Sequence, residues 1–168
     1  MEELNDYTLK DFEIKGHKTI IKSPSQINEC VEAFIIPPMN HEDYAKCVIF
    51  ANLLTWSQLH SEIREKGGAY GAGASPNESG LVMLYSFRDP NPKRTFNCFE
   101  KSIIKISKGE FTEDDIRDAK IFTFQQTDKI INPLNKGLLS FLRNITDEDR
   151  NIYRQKLLNV TREVKFNI

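Results

Sequence analysis

The feature that most constrains the fold is a long amphipathic stripe that begins near His41 and ends at a pair of glycines. Apolar residues recur there at three- and four-residue steps, which is the periodicity of one helix face. The stripe, in which only Thr55 and Gln58 are polar, consists of Tyr44, Cys47, Val48, Ala51, Leu54, Thr55, Gln58, Leu59 and Ile63. We therefore predict one long helix with Asn40 as its N-cap and Gly67 as its C-cap.

Two strands are predicted before this helix. The first is Lys18–Lys22 and the second is Cys30–Ile36. Val31, Ala33 and Ile35 would share one face of the second strand, with apolar residues on the opposite face as well. Apolar residues on both faces indicate an interior strand of a sheet.

A β-hairpin is predicted after the helix. Its strands are Ala69–Ser75 and Gly80–Arg88, joined by a turn at residues 76–79. The first strand is nearly bare because Gly71 and Gly73 have no side chain. Glycine inside a strand marks a bulge or a close approach by another backbone or by a ligand.

The second half of the chain is predicted to be helical. Helix starts are indicated by Pro92, by capping patterns at Thr112 and Thr146, and by Asn132-Pro133. The order β-β-α-β-β-α-α-α-α indicates an α+β fold, a mixed or antiparallel sheet covered on one face by helices. Residues 1–18 are predicted to be an irregular lead-in, and residues 19–168 a single domain. Thr161–Val164 resembles another helix opening just before the sequence ends, so this domain is expected to be truncated.

Composition excludes several classes of function. The net charge is −1 and no basic stripe occurs, so nucleic acid is not an expected partner. The longest apolar runs are too short to span a bilayer, and the acidic N-terminus does not resemble a signal peptide. The three cysteines have no regular spacing and are predicted to be core thiols in a reducing compartment.

The usual catalytic motifs are missing from the sequence. His17, His41 and His60 lie far apart, and neither HExxH nor HxxEH occurs, so no metal site is expected in this chain. There is no GxSxG elbow and no Gly-Lys dipeptide of a phosphate-binding loop. The chain is therefore expected to have no self-sufficient catalytic centre.

The most informative stretch is LHSEIREKGGAYGAG, residues 59–73. A helix cap with basic residues in the last turn accounts for most of it, but not for the four glycines and two alanines that surround Tyr70. The stretch resembles a signature of the pitrilysin/insulinase family of zinc metallopeptidases, in particular the presequence protease and falcilysin branch. The likeness extends over most of residues 19–165.

The resemblance implies that this chain is the last of four similar α+β domains, which form two halves around a closed chamber. The zinc ligands and the glutamate base of that family belong to the absent N-terminal half. In the family, an arginine and a tyrosine reach the substrate, and they correspond to Arg64 and Tyr70. The phenol of Tyr70 would stabilise the oxyanion, and Arg64, with the bare backbone at Gly68, Ala69 and Gly71, would bind the peptide.

The resemblance thus implies a C-terminal domain that completes the active site of a zinc metalloendopeptidase, with peptide substrates and the N-terminal half as partners. Zn²⁺ would be bound elsewhere in the complete enzyme, and this chain alone would be inactive. The compartment would be organellar by resemblance only. Two alternatives remain: an inactive homologue that serves as a scaffold, and an unrelated module that docks a peptide.

At the level of single residues, the alternative is that Arg64 is an ordinary surface residue and Tyr70 a core residue. Glu65 and Lys66 are expected to be solvated charges at the helix end. His60 is expected to lie on the helix face without a ligand role.

Overall fold

The structure is a computed structural model that describes residues 18–22, 24, 26–135 and 137–162 of the 168-residue chain. The lead-in predicted for residues 1–18 lies outside the described residues except for Lys18. The helix opening predicted at Thr161–Val164 falls outside them from residue 163 onward.

The described residues form an antiparallel sheet of three strands in the order β1-β3-β2. The strands are β1, Asn28–Ile35; β2, Gly71–Asn77; and β3, Leu81–Asp89. The predicted hairpin is confirmed as β2 and β3, with Gly73 opposite Tyr85 and Ser75 opposite Met83. The central strand is therefore the second strand of the hairpin.

Two predictions about the N-terminal strands are wrong. β1 lies at an edge of the three-stranded sheet, and Val31 on its outer face is 57% exposed. Lys18–Lys22 has no regular structure, and Ile20 and Ile21 are exposed. β-Branched residues favour a strand only where a neighbouring strand and a packed face support them.

The long helix is confirmed, but its conformation changes halfway. It begins as α1, Tyr44–Leu53, and continues as a π-helical segment, Leu54–Glu65. The N-cap is Asp43, so the predicted cap at Asn40 is wrong: the His41 N–H donates to the Pro38 carbonyl in a separate turn. Leu59 and Ile63 are buried, which confirms the apolar stripe.

Four α-helices follow the sheet: α2, Pro92–Ser107; α3, Glu113–Thr127; α4, Leu138–Arg143; and α5, Asp147–Asn159. The predicted capping boxes at Thr112 and Thr146 are both present, each with an aspartate three residues later. The continuous helix predicted from Asn132-Pro133 is wrong. A 3₁₀ turn, Pro133–Asn135, precedes Gly137, whose φ of +81° separates it from α4.

The helices cover one face of the sheet, as predicted for the α+β fold. Cys30, Val82, Leu84 and Ser86 are buried on that face, beneath the helical layer. The opposite face exposes Val31, Met83, Tyr85 and Phe87. No helix among the described residues is long and apolar enough to cross a membrane. One broad sheet face is thus left open beside the end of the long helix.

Candidate active-site surface

The π-helical segment ends in a tight turn made by two glycines. Gly68 adopts a φ of +81° and makes the left-handed turn, whereas the C-cap residue is Lys66, one residue before the predicted C-cap at Gly67. The Gly68 N–H donates to the Arg64 carbonyl at 3.0 Å, and the Ala69 N–H donates to the Ile63 carbonyl at 3.2 Å. These bonds satisfy helix carbonyls that would otherwise lack a partner and turn the chain toward β2.

Gly67 has a different reason to be glycine. A Cβ atom at this position would collide with the Ile63 carbonyl oxygen and with the Arg94 guanidinium. Arg94, from the first turn of α2, donates to the Glu62 carbonyl at 2.7 Å and lies 3.7 Å from the Glu62 carboxylate. The glycine therefore lets α2 approach and hold the end of the long helix.

The end of β3 is held by a buried carboxylate. Asp89 is 1% exposed, and its carboxylate accepts hydrogen bonds from the Ser86 hydroxyl, the Thr95 hydroxyl and the Asn91 N–H. Its backbone carbonyl accepts a bond from the Asn28 side chain at 2.9 Å. Strands β1 and β3 and the start of α2 are thus joined at one residue.

A β-bulge precedes this anchor. Asn28 pairs with Asp89 and Cys30 pairs with Ser86, so two residues of β3, Phe87 and Arg88, lie opposite one residue of β1. Arg88 has a φ of +50°, in the left-handed region that non-glycine residues rarely adopt. Bulges re-aim side chains, and here both Phe87 and Arg88 are exposed.

Tyr70 lies between the glycine turn and the bulge. Its N–H donates to the Phe87 carbonyl at 3.0 Å, and its ring meets the Phe87 ring edge to face with centroids 5.9 Å apart. The side chain is nevertheless 69% exposed, whereas the preceding Ala69 is buried. The alternative that Tyr70 is a core residue is therefore wrong: its backbone is held and its ring projects from the surface.

Arg64 is exposed and is oriented by its own helix. Its Nη1 lies 2.7 Å from Nε2 of His60, one helical turn earlier. Because a guanidinium only donates, Nε2 must accept and the imidazole proton must be on Nδ1, which lies 3.6 Å from the Glu65 carboxylate. His60, predicted to be a plain helix-face residue, thus orients Arg64, whereas Glu65 is exposed as predicted and lies near the imidazole beyond hydrogen-bond distance. Lys66 pairs with Glu62 at 2.6 Å.

The predicted site residues largely converge. Arg64, Gly68, Ala69 and Tyr70 line one open depression together with Glu65 and Arg88. Gly71 is not part of that lining; it follows Tyr70 as the first residue of β2, and a Cβ atom there would have no neighbour within 4 Å. The depression offers a phenol and two guanidinium groups as hydrogen-bond donors, and one carboxylate.

Sequence reasoning missed Arg88 and Arg94. Arg94 lies in the first turn of a predicted helix, and nothing local indicates that it reaches back to the Glu62 carbonyl. A left-handed arginine has no sequence signature, although the Asp89-Pro90 loop marks the end of its strand. Both contacts are tertiary, so only the folded chain reveals them.

The described part of the chain contains no group of three or more His, Cys, Asp or Glu side chains that could hold a metal ion. Its residues therefore do not fit a zinc site. The three cysteines are free, and burial raises the pKa of the Cys30 and Cys47 thiols, which disfavours the reactive thiolate.

A larger groove of about 860 Å³ lies elsewhere, between β2, the long helix and α3. Its walls include Tyr44, Asn52, Thr55, Phe122 and Tyr153. Thr55 closes part of the β2 edge there, since its hydroxyl accepts from the Ala74 N–H at 2.8 Å. None of the predicted substrate-binding residues lines this groove, so the depression around Tyr70 is the better candidate for chemistry.

Comparison with known proteins gives consistent results for sequence and structure. A family model described as the PreP C-terminal domain matches residues 18–167. Mitochondrial presequence proteases are similar along nearly the whole chain: that of Xenopus tropicalis is 39% identical over 158 residues, and that of Saccharomyces cerevisiae is 36% identical over 158 residues. These alignments cover 94% and 90% of this chain, but only 15% and 16% of the relatives.

Solved structures support the fold. A conserved protein from Enterococcus faecalis V583 superimposes with a TM-score of 0.64 at 20% identity, over 80% of this chain and 34% of that one. The inactive peptidase domain of a protein assigned as a zinc protease, from Bordetella parapertussis, superimposes with a TM-score of 0.62 at 16% identity, over 87% of this chain and 85% of that one. From the family match and the sequence identity, the chain belongs to the family of presequence protease C-terminal domains.

Proposed function

We propose that this chain is the substrate-binding, active-site-completing C-terminal domain of a zinc metalloendopeptidase that degrades peptides inside a closed chamber. The observation that carries the proposal is the exposed phenol of Tyr70, which shares one depression with Arg64 on a rigidly held backbone. Family membership supports it, because the related proteins are presequence proteases.

The phenol of Tyr70 suits the stabilisation of a developing negative charge. When water attacks a peptide carbonyl, the oxygen becomes an oxyanion, and a donor already aimed at that position lowers the barrier. The Tyr70 ring is supported from below by Phe87, and its backbone is bonded to β3. The hydroxyl can therefore act as a pre-positioned donor without the loss of freedom that an unsupported surface tyrosine would undergo.

Arg64 and the small residues around Tyr70 suit the binding of an extended peptide. The guanidinium is held by His60 and projects into the same depression. A planar fork of donors can bind main-chain carbonyls of a peptide. Ala69 and the unfilled space above Gly71 would let that peptide backbone come close to β2.

In our proposal the rest of the catalytic machinery lies outside this chain. The chain spans about 15% of the length of the curated relatives that it matches. In our proposal the N-terminal half of the full polypeptide binds Zn²⁺, which supplies the activation of water, and the two halves close around the peptide. The same relatives, which are mitochondrial, support a mitochondrial or other organellar location.

A phenol-deletion experiment tests the role of Tyr70. In the full-length enzyme, Tyr70→Phe should lower kcat/KM for peptide hydrolysis by roughly 10²–10³, the usual loss for one oxyanion donor. Tyr85→Phe is the matched control, because it removes another phenol from the same exposed sheet face at a position away from the depression. Equal activity of the Tyr70→Phe variant and the unmodified enzyme, with both correctly folded, would contradict the assignment.

A further inference from the structure

Arg88 lines the depression but has no role in the proposed function. The bulge at Phe87 and Arg88 places its side chain on the same exposed surface as Tyr70. Its backbone is left-handed although it is not a glycine, and Asp89, the next residue, is fixed by four hydrogen bonds. A strained conformation that the surroundings enforce so strongly is typical of functional sites.

The guanidinium of Arg88 contacts two aromatic rings. Its central carbon lies 5.7 Å from the Tyr70 ring centroid and 5.6 Å from that of Phe87. No carboxylate of the described residues forms an ion pair with it. Asp89 directs both carboxylate oxygens at Ser86, Thr95 and Asn91, and Glu65 lies beside His60.

This arrangement leaves the donors of the guanidinium available to a ligand. A contact with aromatic rings involves the positive charge of the guanidinium and does not use its N–H groups as hydrogen-bond donors to an acceptor. Two parallel N–H groups match the two oxygens of a carboxylate, and such charge-assisted hydrogen bonds are stronger than those between neutral groups. Arg64 lines the same depression and adds a second positive charge.

We propose that Arg88 binds a carboxylate of the peptide substrate, either an acidic side chain near the scissile bond or the carboxyl terminus. The inference rests on the proposed function, since it assumes that peptides occupy the depression beside Tyr70. It adds a specificity element: the domain would favour peptides that present a negative charge at one defined distance from the Tyr70 hydroxyl.

Matched peptide pairs test this inference with the full-length enzyme. In one set, the two peptides of each pair differ only by Glu or Gln at a single position, and that position moves along the peptide from one pair to the next. In a further pair, one peptide ends in a free carboxylic acid and the other in an amide. For one of these pairs we expect the acid to be cleaved with a kcat/KM about tenfold higher than its neutral partner, typical of a charge-assisted bond. The pair that shows the preference identifies the source of the carboxylate.

Variants of Arg88 then test whether this residue causes the preference for the acidic peptide. Arg88→Asn removes the charge but keeps a residue that tolerates the left-handed backbone, and it should reduce the acid-to-neutral ratio to about one. Arg88→Lys keeps the charge without the fork and should retain part of the ratio. Both peptides of a pair are cleaved by the same preparation, so a partly unfolded variant does not alter the ratio.

The outcomes separate this inference from the proposed function. Tyr70→Phe should slow both members of each pair equally, so a normal rate in that variant would refute the role of Tyr70. A ratio near one for every pair in the unmodified enzyme, or a preference that persists in Arg88→Asn, would refute the carboxylate site and leave the Tyr70 result intact.

Discussion

At the scale of single residues, the depression differs from ordinary surface because its side chains are exposed while the backbone that carries them is held in place. Tyr70, Arg64 and Arg88 are all exposed, yet each belongs to a segment with backbone or side-chain bonds to its neighbours. An exposed donor on a rigid backbone is costly to organise without a ligand. Tyr70, Arg64 and Arg88 are therefore the residues of this surface that we expect to bind a ligand.

Gly71 offers a test that separates function from stability. No atom lies within 4 Å of the position that its Cβ would take, and its φ lies outside the left-handed region. Gly71→Ala should leave the thermal unfolding of the chain unchanged or raise its stability by up to about 1 kcal/mol. It should nevertheless raise KM for peptides in the full-length enzyme, because the methyl group occupies the path of the substrate.

Gly109→Ala is the comparison for this experiment. Gly109 also has open space around it, but its φ is +79°, so alanine there should destabilise the chain without affecting peptide binding. If Gly71→Ala binds and cleaves peptides normally, the close approach of a peptide to β2 is wrong.

At the scale of elements, the end of β3 is the anchor that sets the geometry of the site. Asp89 connects the sheet to α2, α2 carries Arg94, and Arg94 holds the helix end beneath Gly67. The glycine turn and the bulge are thereby fixed relative to one another. Both flank Tyr70, so the anchor determines where the phenol points.

Replacement of Asp89 tests this anchor. Asp89→Asn keeps the shape but removes the negative charge from a carboxylate that accepts three hydrogen bonds, and its amide nitrogen cannot accept where a carboxylate oxygen did. We expect the free energy of unfolding to fall by about 1–3 kcal/mol in urea titrations of the chain. Ser107→Ala, at an exposed site on the last turn of α2, should change it by less than about 0.5 kcal/mol. Equal stability of the Asp89→Asn variant would show that the anchor contributes little.

The elements that sequence predicted best are those with local signals. The capping boxes at Thr112 and Thr146 and the proline at the start of α2 were correct because a cap is made by residues three positions apart. The predicted start of the long helix and the predicted interior position of β1 were wrong. Those features depend on the turn after Pro38 and on the strand order, which are set by contacts distant in sequence.

In the candidate site, too, the residues with a local sequence signal were predicted and those brought in by tertiary contacts were not. Arg64 and Tyr70 could be identified because they lie in one contiguous stretch that resembles a family signature. His60 was present in that stretch, but its bond to Arg64 required the helix geometry to be known. Arg88 comes from a different strand, and only its pairing register and backbone conformation bring it to Tyr70.

At the scale of the whole molecule, the domain has one covered sheet face and one open one. Helices bury the face that carries Val82 and Leu84, whereas the other face exposes Tyr85 and, at the end that contacts Tyr70, Phe87. In our proposal this open face lines the chamber that the N-terminal half closes. The domain then provides substrate contacts and an oxyanion donor, and the other half provides the metal.

The most direct measurement of the central claim is a peptidase assay on the parts and on the whole. This chain alone, the remainder of the full-length protein alone, and the two joined in one polypeptide are each incubated with a peptide, with and without a metal chelator. We predict cleavage only by the joined protein, abolished by the chelator and reduced roughly 10²–10³-fold by Tyr70→Phe. Full activity of the remainder without this domain would contradict the claim that the domain completes the active site.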